Sequence, residues 1–466
     1  MKYEVGTVIL SAGAGTRMSL SLPKPLAPFL GKSLVDYPLS ESLKMMSSIA
    51  DSKSFTGLVT GHGKELVEEY VNKNYGNHQI SYAYQKEQLG TAHALRCYFD
   101  QIEDAKECEY TLVMCADTPL IESESLISLY REAKDKNLDG VAATFKVATP
   151  KGYGRIIRSK NSGFHIVEEK DANDVERQVQ EVNSGMYVLK TSFILEHLYS
   201  IGSSNKAGEF YLTDLFKDEY NVSPILFESA SSFVGVNNLE QLEKAEIAMR
   251  KRIISSLRET GVRFVDSRHT YINTSNIGKG SFIHPNVSID NLSRVGENVT
   301  LEPGCIIVNS TIEDGVTVKA YSHLEEVILR KSSVVGPYAR LRPGADIGEE
   351  AKIGNFVEVK KSKLEKGVKV SHLSYVGDAE IGEETNIGCG FITCNYDGAK
   401  KHKTIIGKRS FIGSDSQTVA PVTIGDDCFV ASASTITHDM KDGSFAISRP
   451  KQATKEGMAK RFLKSK

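Results

Sequence analysis

Glycines and cations close to the N-terminus form a pattern suited to binding phosphate. The first apolar run ends in residues 10–13 (Leu-Ser-Ala-Gly), and Gly15, Arg17 and Lys24 follow. Glycines let the backbone approach a phosphate closely, and Arg and Lys supply positive charge. The pattern is neither Gly-x-Gly-x-x-Gly nor Gly-Lys-Ser/Thr. Taken alone, it equally fits a tight strand-to-helix turn with solvated cations.

Asp117 and Asn237 follow elements where polar side chains have two possible uses. Asp117 comes after the apolar run 110–115, and Asn237 precedes the charged, amphipathic segment 239–258. Either residue would serve as a helix N-cap. The end of a buried strand is also where functional carboxylates occur.

A second set of polar residues combines two cations, a histidine, two tyrosines and two asparagines. Two cations suit a phosphate, and a histidine suits proton abstraction near neutral pH. The alternative is a surface histidine with solvated cations. The set comprises Arg342, Lys360, His372, Tyr375, Asn386, Asn395 and Tyr396.

The element that must position this second set is a ladder of residues six apart. A period of six fits neither an α-helix nor a lone strand, but it fits short strands bent at Gly-rich corners, as in the stacked coils of a parallel β-helix. An irregular, Gly-rich β domain is the alternative. The ladder comprises Ile277, Ile283, Ile289, Val295, Leu301 and Ile307; Val335, Leu341, Ile347, Ile353 and Val359; Ile381 and Ile387; and Ile406, Ile412, Thr418, Ile424, Val430 and Ile436. Two interruptions, after Val359 and after Ile387, are interpreted as functional.

Residues 1 to about 235 alternate strands with helices, which predicts an α/β sheet with ligands at the carboxyl ends of its strands. Strands are expected at 5–10, 57–60 and 110–115, and helices at 34–46, 64–72 and 91–99. We therefore expect a nucleotide-handling domain over 1–236, a helical linker over 237–260, and a β-helix with a C-terminal tail over 261–466.

The net charge, the length of the apolar runs and the number of cysteines limit which kinds of partner and which cellular compartment are expected. A net charge of −2 implies neither a nucleic-acid nor a membrane-surface partner, and no apolar run is long enough to span a bilayer. Seven scattered cysteines without a Cys-x-x-Cys pair indicate a reducing compartment, which we interpret as the cytoplasm.

The motifs resemble two known groups. Gly-x-Gly-Thr-Arg-Met followed by Leu-Pro-Lys, with Gln-Leu-Gly-Thr-Ala at 88–92, is similar to the signature of sugar-1-phosphate nucleotidyltransferases. The whole chain, through runs such as Ile-Thr-Cys-Asn-Tyr-Asp-Gly-Ala at 392–399, resembles the bifunctional N-acetylglucosamine-1-phosphate uridyltransferase / glucosamine-1-phosphate acetyltransferase family. Departures from the family pattern occur at Ser11, Cys115-Ala116, Cys389 and Ser432.

The resemblance implies an α/β chain with a Rossmann-like sheet and a left-handed β-helix of hexapeptide repeats, assembled as a homotrimer. Its substrates would be glucosamine-1-phosphate, acetyl-CoA and UTP. Mg²⁺ would be held by Asp117 and Asn237, and His372 would be the general base. The uridyltransferase site would comprise Leu10, Ser11, Ala12, Gly13, Arg17, Lys24, Gln85, Gly90, Thr91, Gly154, Glu168, Asn183 and Asn237. Sugar phosphate binding at the acetyltransferase site would use Arg342, Lys360, Tyr375 and Asn386, and acetyl-CoA would contact Cys389, Asn395, Tyr396, Ser414, Ser432 and Arg449. Asn395 and Tyr396 would also help position the sugar, and Ser414 is a candidate oxyanion donor.

Two other functions compete. One is a single-activity sugar nucleotidyltransferase whose β-helix is structural or regulatory, against which the His372 set argues. The other is a non-catalytic subunit of a larger complex, against which the intact Arg17, Lys24, Asp117 and Asn237 argue.

Overall fold

A computed structural model describes residues 2–13, 15, 18, 21–49, 54–159 and 163–463. The chain forms two compact units, Met1–Met249 and Arg250–Lys466, and the division falls inside a single helix, Leu239–Glu259. Among the described helices, none is long and apolar enough to cross a membrane.

The first unit is a twisted sheet with helices between its strands. Its longer elements are β1 (Tyr3–Leu10), α1 (Asp36–Ile49), β2 (Ser54–Thr60), α2 (Lys64–Tyr75), β3 (Ile80–Tyr84), α3 (Thr91–Gln101), β4 (Cys108–Cys115), α4 (Ser123–Asp135), β5 (Gly140–Lys146), β6 (Arg155–Arg158), β7 (Phe164–Val167), β8 (Glu181–Lys190), α5 (Thr191–His197), β9 (Val222–Phe227) and α6 (Leu239–Glu259). A two-residue hairpin pairs Pro28–Phe29 with Lys32–Ser33. Each expected strand and helix is present within a few residues of its expected bounds.

The sheet has the order β9-β5-β8-β4-β1-β2-β3. β1 runs parallel to β2 and β4, β2 runs parallel to β3, and β8 runs antiparallel to β4 and β5. The carboxyl ends of four parallel neighbours, β1 to β4, therefore meet at one edge. In sheets of this kind that edge is where ligands bind.

The second unit is a left-handed parallel β-helix with three faces of short parallel strands. The first face contains Arg263–Phe264, Phe282–Ile283, Thr300–Leu301, Thr317–Val318, Val334–Val335, Asn386–Ile387, Phe411–Ile412, Phe429–Val430 and Phe445–Ala446. The second contains Tyr271–Ile272, Ser288–Ile289, Ile306–Val308, His323–Glu325, Arg340–Leu341, Ile392–Cys394, Gln417–Val419 and Thr435–Ile436. The third contains Arg294–Val295, Thr311–Ile312, Ile328–Leu329, Asp346–Ile347, Lys363–Leu364, Ala379–Ile381, Thr404–Ile406 and Val422–Ile424. Two longer strands, Lys352–Lys360 and Lys369–Gly377, run from the first face around a corner onto the second.

The ladder residues point inward, and they form one continuous buried core along the unit. Glycine follows many of them because the next coil lies very close. A Cβ on Gly388, for example, would lie 2.5 Å from the backbone nitrogen of Ser414. Left-handed backbone conformations occur instead at the corner residues, three positions after a ladder residue, as at Asn298 and Glu350.

The interruption that the sequence suggested after Val359 is wrong. The ladder continues through Leu364, Val370 and Val376, all fully buried. It is hidden in the sequence because the step from one ladder residue to the next is five positions, and not six, at one corner of the coil, as from Val359 to Leu364. The same five-position step, from Ile307 to Ile312, explains why a strict six-residue count does not include four further core residues: Ile312, Val318, Leu324 and Leu329.

The second interruption is real. Ile381 pairs with Ile406, 25 residues later, whereas neighbouring coils pair residues 17 or 18 apart. The extra residues form a loop after Cys394, in which the Asp397 carboxylate accepts hydrogen bonds from the backbone of Ala399 and Lys400 and faces His402. These bonds hold the pKa of Asp397 well below its usual range and give the loop a fixed shape.

Candidate active sites

A cavity of about 720 Å³ opens at the carboxyl edge of the first unit's sheet, within the size range typical of small-molecule sites. Most of the residues proposed for the uridyltransferase site reach it or a smaller neighbouring pocket that contains Ser11 and Asp117. The larger cavity is lined by Leu10, Ala12, Gly13, Gly15, Lys24, Gln85, Gln88, Gly90, Thr91, Ala94, Glu168, Glu209, Tyr211 and Asn237. Arg17 lies outside the described residues, so its role stays a prediction.

Lys24, Asp117 and Asn237 meet at one point beside this cavity. The Lys24 ammonium donates hydrogen bonds to Asp117 Oδ2 and, at 2.9 Å, to Asn237 Oδ1. A carboxylate oxygen and an amide oxygen thus converge on one positive charge. Within the described part of the chain, no group of three or more His, Cys, Asp or Glu is arranged to hold a metal. A Mg²⁺ ion would take only these two protein oxygens, and this suits an ion that keeps several water or phosphate ligands.

The described helices that follow Asp117 and Asn237 begin at other residues: Glu122 is the N-cap position of α4, and Asn238 precedes α6. The backbone N–H of Gln241, in the first turn of α6, donates to the side chain of Asn238 at 2.8 Å. Asn238 therefore provides the capping oxygen, and the Asn237 carboxamide oxygen faces Lys24 instead. Val236 N–H donates to Asp117 O at 2.8 Å, which ties the segment before α6 to the end of β4.

Gln85, Gly90 and Thr91 lie at the end of β3 and the start of α3. The Gln85 carboxamide nitrogen donates to Gly90 O at 3.2 Å. The loop between them is held from outside, because Phe210 N–H donates to Leu89 O and Ala92 N–H donates to Phe210 O. Thr91 Oγ1 accepts a hydrogen bond from Leu212 N–H. Three residues expected to contact uridine are therefore fixed in one rigid corner of the cavity.

Gly154, Glu168 and Asn183 also come together. A Cβ on Gly154 would lie 3.5 Å from both the Glu168 carboxylate and the Asn183 Cβ. The pairing of β8 with β5 shifts register between Asn183 and Tyr187, and such irregularities often aim side chains at a site. Burial raises the pKa of Glu168, nearby carboxylates such as Asp171 add to the shift, and a hydrogen bond from Thr213 opposes it.

In the second unit, successive coils place His372, Cys389, Ser414 and Ser432 in one column, two residues after the ladder residues Val370, Ile387, Ile412 and Val430. Cys389, Ser414 and Ser432 are small and exposed, and we call this row of small side chains, which leads away from His372, the track. Coils in a parallel sheet are about 4.8 Å apart, which places Ser414 about 10 Å along the track from His372. Arg449 joins the column by donating to Ser432 O at 2.6 Å.

His372 is exposed at the corner between the first and second faces and has a defined partner. Its Nδ1 lies 3.1 Å from Oδ1 of Asn355, which occupies the same column one coil earlier. The Asn355 oxygen can only accept, so Nδ1 is the donor in this contact and Nε2 is the ring nitrogen left to act as a base. Sequence reasoning missed Asn355, although a separation of one coil length from His372 was available as a signal.

The cations of the second unit gather at the far end of the second face. Arg342 donates to Glu358 at 2.7 Å. The pKa of Lys360 is lowered, chiefly by the ammonium of Lys401 and then by Arg342. Three cations drawn together this way suit a doubly charged phosphate. Lys401 belongs to the inserted loop, and no pattern in the sequence pairs it with Lys360, so sequence reasoning does not find it.

Tyr375 and Asn395 belong to the same end. The Asn395 carboxamide nitrogen donates to Asp378 at 2.6 Å and reaches the Tyr375 hydroxyl at 3.4 Å. Asn395 therefore lies beside the cations and not in the Ser414 column. Tyr396 is exposed and donates to Gly398 O within the loop. Asn386 lies on the first face, paired with Lys369 and Phe411, and no contact to His372 is seen among the described residues.

An exposed aromatic stack runs beside the His372 column. Tyr321, Tyr338 and Phe356 occupy the corner position of successive coils and stack with ring centroids 5.3 and 5.6 Å apart. All three are at least half exposed and have positive φ, a strained conformation for bulky residues. Leu373, next to His372, continues this apolar stripe and is 60% exposed.

A family model and two curated relatives together match both halves of the chain. Residues 6–229 match the family model described as nucleotidyl transferase. The chain is 39% identical over 461 residues to the bifunctional protein GlmU of Geotalea uraniireducens (strain Rf4), covering 97% of this chain and 98% of that protein. It is 40% identical over 467 residues to the bifunctional protein GlmU of Pelobacter propionicus (strain DSM 2379), covering 99% of each. A crystal structure of UDP-glucose pyrophosphorylase complexed with UDP-glucose aligns with 53% of this chain and 99% of its own, at 21% identity and a TM-score of 0.43.

Identity near 40% across almost the whole length of both partners extends through both units of the fold. The chain belongs to the family of the bifunctional protein GlmU.

Proposed function

We propose that this chain catalyses two consecutive reactions. The β-helix transfers the acetyl group of acetyl-CoA to the amine of glucosamine-1-phosphate. The nucleotidyltransferase unit then transfers UMP from UTP to the N-acetylglucosamine-1-phosphate, giving UDP-N-acetylglucosamine and pyrophosphate.

The observation that carries this proposal is the arrangement at His372. The nucleotidyl transferase match over residues 6–229 and the sheet-edge cavity would, by themselves, also suit a nucleotidyltransferase with a structural β-helix. A histidine whose Nδ1 is held by Asn355, a row of small residues beside it, and three cations at the other end of the same face are features that a purely structural β-helix does not require.

At the acetyltransferase site, His372 Nε2 would take a proton from the sugar amine as the amine attacks the thioester carbonyl. The carbon–sulfur bond would then break, and the leaving thiolate would take this proton back from His372, so that coenzyme A leaves as the thiol. Arg342, Lys360 and Lys401 would hold the sugar phosphate, and Tyr375, Asn386, Asn395 and Tyr396 would orient the sugar. Acetyl-CoA would lie along the track formed by Cys389, Ser414 and Ser432, with Arg449 near its charged end, and Ser414 remains the candidate oxyanion donor.

At the uridyltransferase site, a phosphate oxygen of N-acetylglucosamine-1-phosphate would attack the α-phosphorus of UTP, and pyrophosphate would leave. The chain's contribution is positioning and neutralisation of charge. Arg17 and Lys24 would lie against the leaving phosphates, with the backbone of Leu10, Ser11, Ala12 and Gly13 close to the nucleotide. Gln85, Gly90 and Thr91 would hold uridine, and Gly154, Glu168 and Asn183 would contact the sugar.

The oxygens of Asp117 and Asn237 would hold Mg²⁺, for which their convergence on the Lys24 ammonium is the supporting observation. When bound, the ion would offset negative charge on the phosphates. Because both oxygens face Lys24, the ammonium would have to move toward the phosphates as the ion enters.

We also propose a homotrimer, in which a neighbouring copy of the chain covers the stripe formed by Tyr321, Tyr338, Phe356 and Leu373. Its support is position. The stripe is apolar, strained and exposed, and it adjoins the His372 column, so the copy that covers it would border the acetyl-transfer site. The seven free cysteines support a reducing, cytoplasmic location.

An omission experiment tests the proposed reactions. The chain is incubated with glucosamine-1-phosphate, acetyl-CoA, UTP and Mg²⁺, each left out in turn, and products are identified by mass. We expect UDP-N-acetylglucosamine only from the full mixture, and N-acetylglucosamine-1-phosphate with free coenzyme A when UTP is absent. Pyrophosphate release from N-acetylglucosamine-1-phosphate without any thiol release from acetyl-CoA would favour the single-activity alternative, and absence of both would favour the non-catalytic one.

A further inference from the structure

The carboxamide nitrogen of Gln85 contacts two acceptors, His93 Nδ1 and Gly90 O. Gln85 is nearly fully buried at the wall of the cavity. Its nitrogen lies 3.0 Å from His93 Nδ1 and 3.2 Å from Gly90 O. A carboxamide nitrogen has two hydrogens to donate, so both are used by these neighbours.

Gly90 O reinforces this orientation. The same oxygen also accepts the backbone N–H of Ala94 at 3.1 Å, within α3. It is an acceptor in both contacts, so rotating the carboxamide by 180° would place two oxygens against each other. His93 Nδ1 must then accept, which puts the ring proton on Nε2, and Nε2 faces the Cys97 sulfur at 3.9 Å. The contact with Gln85 therefore sets the tautomer, and the Cys97 sulfur is compatible with it because a thiol can accept as well as donate.

This network leaves the oxygen of Gln85 as the group available to a ligand. Among the described residues, none is seen to donate a hydrogen bond to Gln85 Oε1. An acceptor at that position matches a base with an N–H on its pairing edge, as uracil has. Cytosine presents a bare nitrogen at the same place, and it would face the oxygen without a shared proton.

We propose that His93 is a positioning residue for nucleotide specificity: by accepting from Gln85, it holds the carboxamide oxygen toward the base and so favours uracil over cytosine. The proposal rests on the uridyl-transfer function above. His93 does not line the cavity, so it acts through Gln85 and not by touching the nucleotide.

Two substitutions separate orientation from packing. His93→Phe keeps a ring of similar size and removes the acceptor. His93→Asn keeps an acceptor oxygen near the position of Nδ1. A loss of packing alone would weaken UTP and CTP equally, whereas a loss of orientation changes their ratio.

The test measures kcat/KM for pyrophosphate release with UTP and with CTP, using N-acetylglucosamine-1-phosphate and Mg²⁺, together with calorimetric binding of UDP and CDP. We expect His93→Phe to lower the UTP/CTP ratio about tenfold, because a misoriented hydrogen-bonding group in a buried site costs on this scale. The loss should appear mainly in KM for UTP and in UDP affinity. His93→Asn should restore the ratio to within about threefold of the parent chain.

Acetyl transfer by the second unit, measured on the same samples, checks that each variant chain is intact. An unchanged UTP/CTP ratio in His93→Phe, or an equal loss for both nucleotides, overturns the assignment of His93. If His93→Phe loses all turnover, the test depends on His93→Asn. A UTP/CTP ratio in His93→Asn that is tenfold or more below the ratio of the parent chain then also overturns the assignment. A parent chain that neither binds UDP nor uses UTP overturns the uridyl-transfer function itself, and the inference with it.

Discussion

Replacing Lys24 by methionine should make the metal site easier to fill when no nucleotide is present. The Lys24 ammonium hydrogen bonds to both oxygens proposed to hold the ion, Asp117 Oδ2 and Asn237 Oδ1. A divalent cation that binds there must displace the ammonium and break those two contacts. Methionine has a similar length and no charge, so it removes this competition while filling much of the same space.

The size of the effect follows from the environment of the pair. Hydrogen bonds that involve a charged group contribute about 1.5–3 kcal/mol each when they are shielded from water. The side chains of Lys24 and Asp117 are 13% and 23% exposed, so solvent reduces this value toward that of a surface pair. We take a total of about 1.4 kcal/mol, which corresponds to a factor of about ten in affinity.

Calorimetry with Mn²⁺, which also favours oxygen ligands, measures this directly in the absence of nucleotide. We expect Lys24→Met to bind Mn²⁺ about tenfold more tightly than the parent chain. The matched control is Lys134→Met, which removes another ion-paired lysine, bonded to Glu4 at the amino end of β1, and should leave Mn²⁺ affinity unchanged. Equal or weaker Mn²⁺ binding in Lys24→Met would refute the view that the ammonium occupies the metal position.

Three further predictions follow from other contacts. Asn355→Ala should lower kcat for acetyl transfer about tenfold, because Nδ1 of His372 loses the hydrogen bond that fixes its tautomer. Asn355→Asp keeps an acceptor and should retain more activity, and full activity in Asn355→Ala would contradict the role of Asn355 in positioning His372. Glu168→Gln should gain stability relative to the parent chain as pH rises from 4 to 8. The raised pKa of Glu168 means that the folded chain keeps this proton to higher pH than the unfolded chain, so ionisation at higher pH costs stability; urea midpoints that show no growing difference would contradict this. Leu364→Ala should lower the free energy of unfolding by about 2–5 kcal/mol, because Leu364 is buried in the β-helix core. Ile405→Ala, at an outward-facing position that is 38% exposed, should lower it much less. Similar losses in the two variants would contradict the continuous ladder.

Spacing in the sequence was enough to predict the β-helix, but not its register. A ladder residue every six positions is a direct result of short strands that each send one side chain inward. Leu364 was missed because the corner before it has lost one residue, and this shifts the phase without changing the fold. A five-residue corner keeps the stack intact because the left-handed residue there, such as Lys361, still turns the chain.

Residues with their own chemistry were found more easily than their partners. His372, Asp117 and Asn237 stand out by residue type and motif, and the structure places Asp117 and Asn237 against one ammonium. Asn355, Lys401 and His93 carry no such signal, because each acquires its position through a neighbour that only the folded chain brings close. The sequence alone likewise does not show whether Asn237 or Asn238 caps the following helix, because both residues are asparagine and asparagine is a favoured N-cap.

The central claim is that two separate chemistries, one in each unit, act in sequence on one sugar. Its most direct test uses two variants, His372→Ala and Asp117→Ala, alone and mixed, with glucosamine-1-phosphate, acetyl-CoA, UTP and Mg²⁺. We expect each variant alone to form little UDP-N-acetylglucosamine, Asp117→Ala to accumulate N-acetylglucosamine-1-phosphate, and the mixture to form the nucleotide sugar. Efficient formation of UDP-N-acetylglucosamine by either variant alone, or none by the mixture, would contradict it.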